Sequence, residues 1–230
     1  MRALVHSLRA LFNSPRAYAA IVQLAPWAST AASSNGQVAR LRQAQLESSD
    51  PPSVGLSTIT AVDGGDPYGP IGSIHPRAKK PVGGRAGGAL LSNVYARPTP
   101  FSGPRFQAAV NGGGGGGASI SATLTFSGTS ALTLISPSAA GPFANSSVCP
   151  QDVDANLCAG FMLQGDSGTW YPASGALTTD GGALVLEVGA AAEKEARVVA
   201  TASGWSLWPI TLLYGDGLMP AFPWNASVGT

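Results

Sequence analysis

Apolar and polar positions along this sequence change period once, near residue 97. Before that point, Leu4, Val5, Leu8, Leu11 and Phe12 fall on one helical face, and Asn13-Ser14-Pro15 comes next as a stop signal. The run from Tyr18 to Ala25 is almost continuously apolar, which predicts a strand buried on both faces of a parallel sheet. A helix feeding such a strand is half of a βαβ unit whose first strand is missing, so the chain reads as starting in mid-domain. Residues 37–47 carry good helix formers after a Ser/Asn-rich stretch, 29–35, that supplies capping residues, and Pro51-Pro52 ends the segment. From Gly55 to Asp63 a β-branched, mostly apolar run predicts a second buried strand finishing in a carboxylate. Pro81 then opens a helix through Tyr95, with Val82, Ala86, Leu90 and Val94 on its face. Gly83, Gly84, Gly87 and Gly88 weaken that helix by up to ~1 kcal/mol each, so tight packing against a neighbour is expected to hold it.

Arg97-Pro-Thr-Pro100 marks a boundary, and beyond it the period becomes two. Ile120, Ala122, Leu124 and Phe126 alternate with small polar residues, and similar runs recur at 131–135, 159–164, 183–188, 196–202 and 206–213 between Gly- and Asp-bearing turns. These predict a small all-β domain. The glycine run from Gly112 to Gly117 lacks the Lys-Ser/Thr of a phosphate loop and reads as a flexible connection.

Composition narrows the function. The 230 residues include 13 Lys+Arg and 12 Asp+Glu, a net charge of +1 that gives no footprint for nucleic acid or acidic lipid. With 30 Gly and 18 Pro the chain is too rich in turn formers for a helical bundle. The longest apolar stretch, Ala17 to Ala28, is broken by Gln23 and Pro26 and falls short of a membrane span. No acidic residue precedes Glu47 while arginines are scattered among Ala, Ser and Leu, so the first 46 residues read either as an organelle transit segment or as the folded helix and strand above. Cys149 and Cys158 are spaced for one disulfide rather than a zinc knot. Asn145-Ser-Ser and Asn225-Ala-Ser are glycosylation sequons, and with the cysteine pair they favour an oxidising, secretory or lysosomal setting.

Histidine is the scarce resource. His6 lies on the polar side of the first helix and reads as a surface residue, whereas His75 comes after the end of a strand, the edge of an open α/β sheet where catalytic groups collect. Pro76 biases it towards extended geometry and Gly72 allows a sharp turn before it. Asp63 and Asp66 lie upstream within reach of an imidazole, which is a competent general base at neutral pH. A protein-built zinc site is not expected.

Leu41-Arg-Gln-Ala-Gln45, Ile59-Thr-Ala-Val-Asp-Gly-Gly-Asp66 and Gly72-Ser-Ile-His-Pro-Arg-Ala-Lys-Lys-Pro-Val-Gly83 resemble, in order and spacing, the later part of the sialate O-acetylesterase family. Ile21-Val-Gln-Leu24, Gly160-Phe-Met-Leu163, Trp170-Tyr-Pro-Ala173 and Tyr214-Gly-Asp-Gly-Leu-Met-Pro-Ala-Phe-Pro223 extend the resemblance over most of the chain. It implies an α/β fold class: part of a flavodoxin-like SGNH hydrolase α/β/α layer over 1–97, followed by a β-sandwich-like domain over 98–230. It implies further a carboxylic ester hydrolase that removes O-acetyl groups from sialic acids or acetylated sugars by a Ser-His-Asp mechanism without a cofactor. His75 takes the base role, with Asp66 the first choice for the acid and Asp63 the second. Some members carry an aspartate two residues before the histidine, where this sequence has Ser73, and many SGNH hydrolases carry one three before, where it has Gly72. The family's nucleophile sits in a Gly-Asp-Ser segment ahead of anything matched here, so the chain reads as a fragment inactive by itself. Gly165-Asp-Ser-Gly168 falls in the β region, and Ser167 is taken as structural. The competing reading is a non-catalytic carbohydrate-binding or interaction protein, with Trp170, Tyr171, Trp205, Trp208 and Tyr214 as stacking platforms.

Overall fold

The computed structural model describes residues 1–28, 35–49, 55–112, 119–135, 149, 158 and 160–229. The Ser/Asn-rich stretch through 34, Pro51-Pro52, the glycine run from 113 and Asn145 lie outside the described residues. Helix α1 (Arg2–Leu11) ends as its sequence dictates, with Asn13 in the left-handed region at φ 46°. Two of its arginines fasten it to later backbone: Arg2 Nε donates to Ser48 O at 2.9 Å and Arg9 Nε to Ala17 O at 3.0 Å.

Strand β1 (Ala19–Val22) pairs in parallel with β2 (Leu56–Ile59), and α2 (Asn35–Glu47) lies between them in the chain, making one βαβ unit. All four residues of β2 are buried, as expected of a covered parallel strand, but only Ile21 of β1 is, and Val22 stays 45% exposed. The expectation of burial on both faces thus holds for one strand of the pair, in a sheet that has two strands among the described residues. A three-layer α/β/α arrangement is not seen among those residues. Helix α3 (Lys80–Val94) starts with Pro81 in its first turn. Of its glycines only Gly88 meets a neighbour: a Cβ there would lie 3.0 Å from Pro100 O, while Gly83, Gly84 and Gly87 face open space.

The rest of the molecule is mostly sheet. Strands β3 (Arg105–Asn111), β4 (Ile120–Ser127), β6 (Phe161–Gly165), β7 (Trp170–Leu177), β8 (Leu184–Val188), β9 (Val198–Ser203) and β12 (Trp224–Ser227) form one antiparallel sheet in the order β12-β9-β6-β7-β8-β4-β3. Strands β5 (Thr133–Leu134), β10 (Leu213–Gly215) and β11 (Met219–Pro220) make a small second sheet. The large sheet nearly closes on itself, for Gly229 N donates to Ala109 O at 2.9 Å and Val110 bridges Gly229. A barrel-like wall therefore replaces the expected sandwich. Its interior obeys the period-two pattern: Ile120, Ala122 and Leu124 of β4 and Leu184 and Leu186 of β8 are at most 1% exposed. Trp224 fills the centre, its ring 6.0 Å from Phe106, 5.3 Å from Phe126 and 6.1 Å from Phe161.

Residues 206–212, expected as a strand, run as an irregular segment into the junction between the βαβ unit and the barrel. There the fully buried Arg42 of α2 donates to four carbonyls: Leu24 O at 2.9 Å, Ala25 O at 2.9 Å, Ser206 O at 2.6 Å and Leu207 O at 3.2 Å. Trp27 N adds a bond to Leu207 O at 2.9 Å. Gln23 and Gln45 lock α2 to the end of β1, with Gln23 Nε2 donating to Arg42 O and Leu24 N donating to Gln45 Oε1. Burial lowers the Arg42 pKa to about 9, so the group still carries its charge at neutral pH. Replacing Arg42 by Met strands these carbonyls in the interior and is expected to cost about 3 kcal/mol or more in denaturant unfolding; a loss below ~1 kcal/mol would show that the junction does not depend on it.

Candidate active site

After β2 the chain stays buried from Thr60 to Asp66 and then emerges. Asp63 is fully enclosed and receives both ends of the Arg85 guanidinium, Nη1 to Oδ1 at 2.8 Å and Nη2 to Oδ2 at 2.6 Å, while the same Nη1 donates to Thr60 O at 3.0 Å. This fork fixes α3 against the end of β2. Enclosure raises the Asp63 pKa while Arg85 works against that rise. Tyr214 of β10, also buried, has its pKa raised by desolvation and by the nearby Asp63 charge.

From Asp66 the loop is built of successive four-residue turns, each starting on the last residue of the one before. Gly69 N donates to Asp66 O, Gly72 N to Gly69 O and His75 N to Gly72 O, at 3.0–3.1 Å. A Cβ on Gly69 would lie 3.4 Å from both Asp66 O and His75 O, so the turns fold the two residues' backbones towards one another. The Asp66 carboxylate closes the loop beyond the histidine: it accepts from Arg77 N at 3.0 Å, from Arg77 Nε at 2.8 Å and from Arg77 Nη2 at 3.0 Å. These bonds from Arg77 hold Asp66 below the usual carboxylate range. Asp66 and His75 therefore share one stapled loop, with Asp66 buried and His75 exposed. Both candidate carboxylates are engaged by arginines, Asp66 by Arg77 and Asp63 by Arg85. Neither arginine is marked by composition or period.

The two departures before the histidine have physical reasons. Gly72 sits at φ +93°, a conformation that an aspartate side chain would strain, and the buried Ser73 uses its Oγ to accept the Ala28 amide at 2.7 Å. Behind the loop, Gly65 lies face to face with the buried Trp208, whose Cζ2 would be 2.6 Å from any Cβ at that position. The Cys149–Cys158 disulfide, with Cα atoms 5.6 Å apart, packs with Trp208, Ala28 and Ile210. The irregular segment, the disulfide and the loop thus share one support.

Elsewhere, two of the five aromatic platforms considered from sequence, Trp208 and Tyr214, are core residues, and the other three are half-buried. Ser167 stands in the turn between β6 and β7. Its Oγ bonds Glu195 Oε1 and its amide donates to Glu195 Oε2 at 2.9 Å, while Tyr171 Oη donates to Glu195 Oε1 at 2.8 Å. These donors, the Ser167 hydroxyl foremost, lower the Glu195 pKa from 4.5 to about 2, which leaves the carboxylate a poor base. His6 is exposed on α1. Among the described residues no cluster of His, Cys, Asp and Glu could hold a metal ion, and no helix is long and apolar enough to cross a membrane.

No family model matches the sequence, and no curated protein matches it significantly. Among solved structures, a carbohydrate acetylesterase from Xanthomonas citri superposes with a TM-score of 0.70 at 23% identity. The match covers 98% of this chain and 44% of that protein, so the chain spans less than half of its structural relative. The likeness is one of fold.

Gly65→Ala drives a methyl group into the Trp208 ring and is expected to cost about 1–3 kcal/mol, with a change in tryptophan fluorescence. An unchanged unfolding midpoint would show that the ring yields freely. Glu195→Gln tests the turn lock: folding depresses this carboxyl, so its contribution is complete above the ordinary pKa of 4.5 and fades as pH falls towards about 2. The stability gap between wild type and variant, tracked by urea unfolding, is expected to narrow over that window; a constant gap would contradict the assignment.

Proposed function

We propose that this chain is the histidine-bearing part of a carbohydrate O-acetylesterase. One observation carries the reading: nearly the whole chain shares the fold of a carbohydrate acetylesterase. The stapled loop that presents His75 past the end of a parallel strand agrees with it. On this reading residues 1–97 contribute the loop and residues 98–230 the supporting barrel, which backs the loop through Trp208.

In the reaction, His75 accepts the proton of a serine hydroxyl as that oxygen attacks the acetyl carbonyl. The sugar alkoxide leaves with the proton from the imidazolium, and the same imidazole then activates water to release acetate. Asp66 is the first candidate for the group that steadies the imidazolium, because it shares the loop. Asp63 is the second, enclosed as it is with Arg85. The serine is assigned to polypeptide outside the matched segments, and the chain alone is read as inactive. O-acetylated sugars are the substrate class, with O-acetyl sialic acid the member that the sequence resemblance favours. The disulfide supports an oxidising, secretory location.

The test joins this chain to the serine-bearing remainder of the α/β layer and monitors acetate release from O-acetylated sugars. His75→Ala is expected to reduce kcat by roughly 10⁴-fold or more. Undiminished turnover in that variant would overturn the reading. Hydrolysis of an aryl acetate by the 230-residue chain alone, abolished in His75→Ala, would instead place the nucleophile within it.

A further inference from the structure

The barrel has one imperfect seam. Strand β12 pairs with β9 on one side only, and on the other side it meets β3 at its two ends, through Phe222 N to Pro104 O at 3.0 Å and Gly229 N to Ala109 O at 2.9 Å. Between those ties lies a groove of about 250 Å³ lined by Arg105, Phe106, Phe222 and Asn225, with Gln43 and Leu46 of α2 at its rim. Asn225 and Ser227 are both exposed on β12, two residues apart and hence on one face of the strand, with Ala226 between them.

We propose that Asn225 carries an N-linked glycan seated over this seam. Three observations support this. The tripeptide Asn225-Ala226-Ser227 has the acceptor pattern, and both of its polar side chains stand on the accessible face that transfer requires. The Cys149–Cys158 bond, which plays no part in the tripeptide, independently marks the oxidising compartment in which such transfer occurs. The glycan also has a physical task, since an incompletely paired strand edge is a template for association with another chain and a bulky hydrated group shields it. In the transfer step, Nδ2 of Asn225 bonds to C1 of the oligosaccharide of a lipid-diphosphate donor. The C1–oxygen bond to the diphosphate breaks, and the proton lost from Nδ2 balances the charge on the released lipid diphosphate.

The inference stands apart from the esterase reading and is tested without any activity assay. The full chain is directed through the secretory pathway of a eukaryotic cell, treated with peptide N-glycosidase in ¹⁸O-water and mapped by peptide mass spectrometry. Asn225 is expected to be recovered as ¹⁸O-labelled aspartate. One glycosidase-sensitive electrophoretic step is expected to vanish in Asn225→Gln and in Ser227→Ala, to persist in Ser227→Thr, and to persist in Asn145→Gln. The conservative threonine variant separates loss of the acceptor from loss of fold. An unmodified Asn225 in recovered chain whose Cys149–Cys158 bond is formed would overturn the proposal.

Discussion

The Arg42 guanidinium ties the two halves of this molecule together at their junction. Arg42 projects from α2 into a junction where desolvating a cation is costly, and it is tolerated because carbonyls at the end of β1 and in the segment before β10 converge on it. Arginine suits the position because its planar fork can serve several acceptors at once and is weakly hydrated compared with an ammonium group. Those carbonyls belong to irregular backbone buried away from water, where unpaired polar groups would be destabilising. The ion and the loops therefore satisfy one another. Trp208, one residue past the last of these carbonyls, is thereby delivered to the back of the loop that carries His75.

Much of the secondary structure was legible in the residues themselves. The helices at 2–11, 35–47 and 80–94 and the strands at 56–59, 120–127 and 184–188 agree with apolar spacing and stop signals. Strand β7 was not legible, because Pro172 and Gly175 argue against a strand; Gly175 is there because the Phe161 ring lies 2.9 Å from where its Cβ would be. Residues 206–212 misled in the opposite direction: Leu207 and Trp208 look like strand residues because they are fully buried, but they are buried in a junction rather than in a ladder. Period reports burial and says nothing of which surface supplies it.

The loop around His75 shows a similar division. The motif Ser73-Ile-His-Pro76 was visible, and so were Asp63 and Asp66, yet the partners that fix both carboxylates, Arg85 and Arg77, were not. A bidentate pair across 22 positions leaves no local trace, since its spacing is set by the packing of α3 on β2 rather than by the chain. Closing the sheet into a barrel was equally invisible, depending on contacts between β3 and the segment just after β12 at opposite ends of the sheet order.

The placement of Trp224 bears on how the barrel comes into being. Its ring occupies the middle of an interior whose walls include Phe106, Phe126 and Phe161, and the indole N–H meets Thr201 Oγ1 at 3.4 Å. All of those partners are synthesised before it. Trp224 stands on β12, itself a strand of that wall, and Gly229 just beyond it supplies the bridge to β3, so the central ring and the closure of the sheet arrive with the same short segment. Filling the interior and sealing the wall are thereby one event, and loss of the segment from 224 to 229 would remove both at once.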